Sequence, residues 1–220
     1  MNFPGYVEKG QKMPRFRVPE ITIERLSIYL RALRKFTDDS VLSSQGLAKL
    51  VGTTDAQVRK DLAYFGGFGT PGQGYQVGKL KEEIARILAL DRSWRLALVG
   101  VGKLGTALLA YPGLKRKEFQ IVAAFDNDPE KIGMEVEGIV VQAVEKICEV
   151  LPGKRIKIGI ITTPAEAAQN AANRLVEGGV EGILNFAPVR ITVPERVKLK
   201  NVDLSMELET LSYFISKERK

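Results

Sequence analysis

"WRLALVGVGKLGTALLAYPG", residues Trp94 to Gly113, decides the fold. An apolar run leads into glycines at 100, 102 and 105 and then into a short apolar helix pattern, the order of a strand, a tight loop and a helix. Gly100, Gly102 and Gly105 have the spacing G-x-G-x-x-G. In that spacing the first glycine allows the turn, the second lets backbone approach a pyrophosphate, and the third lets helix pack closely on strand. Val101, Lys103 and Leu104 complete the loop, and a bound pyrophosphate is expected at the positive end of the helix that follows.

A second strand, "FQIVAAFDND", ends at Asp126, twenty-one residues after Gly105. That is close to the distance at which a carboxylate meets the ribose hydroxyls of an adenosine, with Asn127 and Lys131 just beyond it. Like-charge repulsion from Asp126 disfavours a 2'-phosphate, so NAD and NADH are the expected cofactors. Strand "IKIGIIT", helix "PAEAAQNAANRLVEGG" and strand "GILNFAP" continue the alternation, which predicts an α/β domain with a Rossmann parallel sheet. Ligands bind beyond the carboxyl ends of such strands, placing Thr162, Thr163, Pro164, Asn185, Phe186 and Ala187 on the cofactor side. Two alternatives stay open: a different nucleotide-bearing ligand such as coenzyme A, or no ligand, with these residues simply joining strand to helix.

The chain before this domain reads differently. "PEITIERLSIYLRALRKFT" predicts a helix whose buried face carries Ile23, Leu26, Leu30 and Leu33. Ser43 or Ser44 can cap a short helix to Leu50, and Gly52 lies in the connection after it. Thr54 and Gln57 have capping-box spacing for a third helix, with Val58, Leu62 and Phe65 inward and Gln57, Arg59, Lys60 and Tyr64 on the other side. This is a helix-turn-helix plan. "FGGFGTPGQGYQV" reads as a hairpin or wing, with Tyr75 and Val77 at alternating strand positions, and "KLKEEIARILAL" closes the module as a helix. The candidate DNA contacts are Ser44, Gln57, Arg59, Lys60 and Tyr64, together with Gly69, Thr70, Gly72, Gly74 and Tyr75 of the wing. A helical trio with a surface Arg-Lys pair also suits a packing or protein-docking domain.

The location of the charge says where to look for a nucleic-acid contact. Up to Arg92 there are 15 cations against 10 anions, and after it 18 against 16, so most of the net +7 belongs to the first module. The longest apolar runs are far shorter than a membrane span, and no secretory leader pattern opens the chain, so a cytoplasmic location is expected. One cysteine, Cys148, in a helical pattern suits packing, and no metal site is expected. Trp94 is expected to pack where the two halves join.

The chain has no histidine, the commonest acid-base group near neutral pH. No Tyr-x-x-x-Lys pair follows the strand ending near Thr162, and "NFAPVR" holds no obvious proton carrier. Little chain remains to enclose a substrate, so nucleotide sensing is expected rather than turnover, with no catalytic residues. The competing readings are a small NAD-dependent oxidoreductase with a helical accessory domain, and a dimeric nucleotide-binding regulator acting through protein contacts.

"ITIERLSIYLRAL", "TDAQVRKDLAYFGGFG", "GYQVGKLKEEI", "LVGVGKLG", "FDNDPEKIG", "GILNFAPV" and "NVDLSMELETLSYFI" together resemble the Rex family of redox-sensing transcriptional repressors over about residues 17 to 216. The resemblance implies a winged-helix DNA-binding domain at 17–92 and a Rossmann NAD(H)-binding domain at 93–202. Residues 203–220 would form a terminal helix swapped into the other subunit of a homodimer, and 1–16 an N-terminal extension. It further implies binding to double-stranded palindromic operators when NADH is scarce, release when NADH rises, and an inter-domain link matched here by Arg31 and Asp203. Leu208, Leu211 and Phe214 make an apolar stripe on the terminal helix. Pro71 departs from relatives that carry a basic residue there, and the cations Lys9, Lys12, Arg15 and Arg17 lie in or beside the extension.

Overall fold

Pro19, with its fixed and extended backbone, starts helix α1 (Glu20–Leu33) in a computed structural model whose described residues are 18–68 and 74–218. The expected wing residues Gly69, Thr70, Pro71 and Gly72 lie outside that set, as do the extension and its cations. The chain divides into two units between Arg92 and Ser93.

In the first unit α1 buries Thr22, Leu26, Tyr29, Leu30 and Leu33, while Ile23 is exposed. The apolar stripe expected through Ile23 is therefore rotated. The cause is a polar group: Thr22 and Tyr29 turn inward because both hydroxyls find an acceptor there. Strand β1 (Val41–Leu42) leads to helix α2 (Ser44–Val51), capped by Ser43, whose Oγ accepts from Gly46 N at 2.9 Å. Gly52 then turns the chain with φ +70°, a left-handed conformation that suits glycine. Thr54 caps helix α3 (Asp55–Ala63), its Oγ1 accepting from Gln57 N at 3.1 Å.

The return half of the expected capping box does not form: Gln57 sends its Nε2 along the helix to Asp61 instead. The hairpin differs as well. Strand β2 (Tyr75–Gln76) pairs antiparallel with β1, Leu42 opposite Tyr75, and Val77 opens helix α4 (Val77–Ile87) instead of continuing a strand. Leu26, Tyr29, Leu33, Leu47, Val58, Leu62, Tyr75, Leu80 and Ile84 form one core, against which Phe65 is only partly buried.

Asp61 sits at the contact between α3 and α1 with its side chain fully buried. Its Oδ2 accepts from Arg25 Nε at 2.6 Å and Tyr29 Oη at 2.7 Å. Its Oδ1 accepts from Arg25 Nη2 at 2.7 Å, Gln57 Nε2 at 2.8 Å and Thr22 Oγ1 at 3.2 Å. Burial, the largest influence, pushes the Asp61 carboxyl up, but the hydrogen bonds from Arg25, Tyr29 and Gln57 together outweigh it and leave the group below the ordinary carboxylate range.

The second unit is a seven-stranded sheet in the order β5-β6-β4-β3-β7-β8-β9. Its strands are β3 (Trp94–Val99), β4 (Phe119–Asp126), β5 (Glu135–Val136), β6 (Ile139–Ala143), β7 (Ile158–Ile161), β8 (Gly182–Asn185) and β9 (Lys198–Asn201). All neighbours are parallel except β5, which turns back on β6. Without β5 this is the 3-2-1-4-5-6 order of a doubly wound nucleotide fold, reversing direction between β3 and β7.

Alternation along β3 sends Leu96 and Leu98 to one face, against Leu109 of helix α5 (Lys103–Ala110), with Trp94 at that cluster's margin. Ala97 and Val99 face helices α6 (Ile147–Gly153) and α7 (Ala165–Glu177). Ala168, Ala171 and Ala172 let α7 lie close on the sheet. Helix α8 (Leu204–Glu218) ends the chain with Asp203 to Lys217 exposed, including Leu208 at 66%, Leu211 at 55% and Phe214 at 59%.

Asp61→Ala is expected to lower stability by about 3 to 5 kcal/mol, because it strands the Arg25 guanidinium in a partly buried site; denaturant unfolding of the full chain measures it. The folded Asp61 carboxyl lies below its unfolded value, so its stabilisation is present above about pH 4 and lost as pH falls through the folded value. Acid unfolding of Asp61→Asn should lack that component.

Candidate nucleotide cleft and nucleic-acid face

The glycine loop begins where β3 ends. Gly100 has φ +100°, and a Cβ there would lie 2.9 Å from the Thr162–Thr163 backbone at the end of β7. A Cβ on Gly105 would stand 2.0 Å from the Gly100 carbonyl oxygen, whereas one on Gly102 would meet nothing within 4 Å. The first and third glycines are thus required by packing, and the second leaves open space at the N-terminus of α5, which no side chain caps. Thr162 ties the two strand ends together by donating from Oγ1 to Gly100 O at 2.7 Å.

A cleft of about 510 Å³ opens at this switch point. Gly100, Gly102, Asp126, Asn127, Lys131, Thr162, Thr163 and Pro164 line it. Val101, Lys103, Leu104, Gly105, Asn185, Phe186 and Ala187 do not. Asn185 is buried for a structural reason: its Nδ2 donates to Val189 O and Asn201 Oδ1, while its Oδ1 accepts from Ala187 N. It thereby fixes the turn after β8 beside β9.

Sequence reasoning missed Glu166, Asn170 and Arg174, which also line the cleft. They recur every four residues along α7, so helical periodicity was the available signal. Two polar atoms of the lining, Thr163 Oγ1 and Arg174 Nε, are buried with no hydrogen-bond partner among the described residues. Orphaned groups of this kind, beside an uncapped helix end and a bare glycine, fit a polar ligand with acceptor atoms such as a dinucleotide.

Asp126, 5% exposed, does more than wait for a ribose. Its Oδ2 accepts from Val101 N at 2.6 Å and its Oδ1 from Asp128 N at 2.9 Å, which braces the end of β4 to the glycine loop. Lys131 Nζ lies 3.4 Å from Asp126 and 3.3 Å from Asp128. Desolvation, the largest influence, lowers the Lys131 ammonium, but the two carboxylates outweigh it and hold the group above its ordinary value.

On the first unit, Arg59 and Lys60 are exposed on α3. Arg59 Nη1 donates to Asp55 Oδ2 at 2.6 Å and to Ser44 Oγ at 3.1 Å, bridging the two helices of the helix-turn-helix pair. Its hydrogen bond holds the Asp55 carboxyl below the usual range. Gln57 and Tyr64 are half-buried, and Gly74 abuts Leu42 O, which a Cβ would approach to 2.9 Å.

Tyr75 is 8% exposed and packs in the core of this unit; burial pushes its phenol up, against an opposing influence from Arg59. Arg31 is exposed on the last turn of α1; Asp203 Oδ1 caps α8 by accepting from Ser205 N at 2.9 Å. Among the described residues no cluster of His, Cys, Asp or Glu could hold a metal ion, and no helix is long and apolar enough to cross a membrane.

A helix-turn-helix unit and a doubly wound nucleotide fold in one chain define a class of DNA-binding protein with a nucleotide cleft. The comparisons agree with each half. A family model described as "Putative DNA-binding protein N-terminus" matches residues 17–63, and one described as "CoA binding domain" matches residues 91–189. The redox-sensing transcriptional repressor Rex of Syntrophobacter fumaroxidans is 46% identical over 91% of this chain and 97% of its own. That of Thermus thermophilus is 48% identical over 90% and 94%.

A crystal structure of RSP in complex with β-NAD+ and operator DNA aligns with TM-score 0.88 at 36% identity, covering 93% of this chain and 95% of that one. RSP in complex with β-NADH aligns at 0.82 and 34%, covering 93% and 97%. The chain belongs to the Rex family of redox-sensing transcriptional repressors. Its relatives are repressors, so the sensor reading stands over the oxidoreductase.

Gly105→Ala forces its methyl into the Gly100 carbonyl and is expected to lower the stability of the second unit by about 1 to 3 kcal/mol. Thermal unfolding followed by circular dichroism should show that loss, while Thr106→Ala on the exposed side of the same helix should be nearly neutral.

Proposed function

We propose that this protein is an NADH-responsive repressor that binds palindromic operator DNA as a homodimer when NADH is scarce and releases it when NADH binds. The observation that carries this reading is the alignment, over nine-tenths of both chains, with a repressor solved in complex with NAD+ and operator DNA. We assign the dinucleotide to the cleft, with its pyrophosphate over Gly102 and the N-terminus of α5 and its adenosine ribose toward Asp126. Lys103, Leu104 and Gly105 supply N–H groups of that helix end. We assign Thr162, Thr163 and Pro164 to the nicotinamide side, and the Asn185–Ala187 turn, which does not itself line the cleft, to the same strand ends. The nicotinamide ring supplies the redox state that is sensed.

Operator contacts are assigned to Ser44, Gln57, Arg59, Lys60 and Tyr64, with Gly69, Thr70, Gly72 and Gly74 in the wing that approaches the backbone. Helix α8 is assigned to the dimer, inserted into the second subunit. Its exposed Leu208, Leu211 and Phe214 support this, as do Leu184 and Phe186, which stay only half-buried on the α5 face of the sheet. We assign coupling between the units to Arg31 and Asp203. A cytoplasmic location follows from the role.

A ligand shifts a two-state equilibrium only by its difference in affinity for the two states, so NADH must favour the DNA-free form more strongly than NAD+ does. Fluorescence anisotropy on a labelled operator duplex should therefore show release by NADH, much weaker release by NADPH, and none by coenzyme A. Release by coenzyme A alone would transfer the cleft to a different ligand. Arg59→Ala with Lys60→Ala should weaken operator binding at least tenfold and flatten its salt dependence, leaving NADH affinity unchanged. Ending the chain at Asp203 should convert a dimer into a monomer or an aggregate in sedimentation; a soluble dimer with full operator affinity would remove α8 from the interface.

A further inference from the structure

The hydrogen bond between Gln57 and Asp61 fixes which way the Gln57 amide faces. Nε2 lies 2.8 Å from Asp61 Oδ1, one turn further along α3. Asp61 is held in its ionised form, and an ionised carboxylate only accepts. The reverse flip would set the amide oxygen against a carboxylate oxygen and is repulsive. Asp61 cannot swing away, because Arg25, Tyr29 and Thr22 hold both of its oxygens.

One hydrogen of Nε2 is thus committed inward. An amide nitrogen carries one hydrogen on the side of Oε1 and one on the side away from it; with Asp61 taking the second, the first stays free beside Oε1. Gln57 is left with an acceptor and a donor side by side on its free edge. Adenine presents the complement of that edge in the major groove, a donor at N6 beside an acceptor at N7. Gln57 is the third residue of α3, in the N-terminal part of the helix, where helix-turn-helix side chains reach base edges.

We propose that Gln57 reads an adenine in each operator half-site, and that Asp61 is the positioning residue that presets its amide for that base. The inference rests on the assignment of α3 to the operator. It divides the labour on this helix: Arg59 and Lys60 carry charge and hence salt-dependent affinity, while neutral Gln57 supplies discrimination at one position.

The test uses the full chain. A random duplex library is selected on the wild type, and binding is measured to the enriched duplex and to versions in which single adenines become 7-deazaadenine, which lacks the N7 acceptor. The wild type should lose about tenfold at one adenine per half-site. Gln57→Ala should show no further loss from that replacement and no base preference there, with salt slope and NADH affinity unchanged. Asp61→Asn, provided its near-ultraviolet circular dichroism matches wild type, should lose the same preference while keeping the salt slope.

A wild type indifferent to 7-deazaadenine at every position, or a Gln57→Ala variant with the wild-type motif, overturns the proposal. A folded Asp61→Asn variant that keeps the preference overturns the positioning role. A wild type that enriches no sequence overturns the DNA-binding reading, and this inference with it.

Discussion

A carboxylate taken out of water must be met by donors, or its burial costs several kcal/mol. Each unit of this protein buries one aspartate beneath its functional end and meets that requirement there. Asp61 gathers two hydrogen bonds from Arg25 and one each from Tyr29, Thr22 and Gln57. Asp126 takes the N–H groups of Val101 and Asp128, with Lys131 nearby. The demand for donors is directional, so it fixes positions that apolar packing would leave adjustable. In the first unit it sets the seating of α3 on α1. In the second it sets the distance between the end of β4 and the glycine loop.

Function grows out of those two fixed ends. The helix that carries Arg59 and Lys60 is tied to α1 by Asp61 and to α2 through the Arg59–Ser44 contact, so its exposed side chains stand on a rigid frame. In the second unit, the Gly100–Gly105 approach and the Thr162 hydroxyl bring α5 and two strand ends to one point. The cleft forms where the strand order reverses, because helices on either side of β3 and β7 depart in opposite directions. Helix α8 is the exception to the pattern of burial. Its apolar side chains Leu208, Leu211 and Phe214 are exposed, unlike those of the other helices that pack on the sheet.

Where the sequence was legible, the reason was periodicity joined to backbone chemistry. G-x-G-x-x-G, Asp126 and the alternation of strand and helix pointed to the parallel sheet and to the strand ends around the cleft, because these depend on local spacing. The Ser43–Ser44 pair, Gly52 and Thr54 marked the helix-turn-helix boundaries for the same reason, and the structure selected Ser43 as the cap. Glu166, Asn170 and Arg174 were legible in principle as one face of a helix, but nothing local said that this face borders the cleft.

The sequence alone determined the two-part architecture, the nucleotide type of the second fold and the position of the exposed Arg59–Lys60 pair, all of which follow from short-range pattern. Only the tertiary structure decided the rotation of α1, the pairing of β2 with β1 and the burial of Tyr75. It also decided the partners of the two buried aspartates. Asp61 looks in sequence like one more surface charge on a polar helix; its role depends on Arg25 and Tyr29, more than thirty residues earlier. A buried charge is stable only with its partners, and partners that far apart in the chain are brought together by the fold.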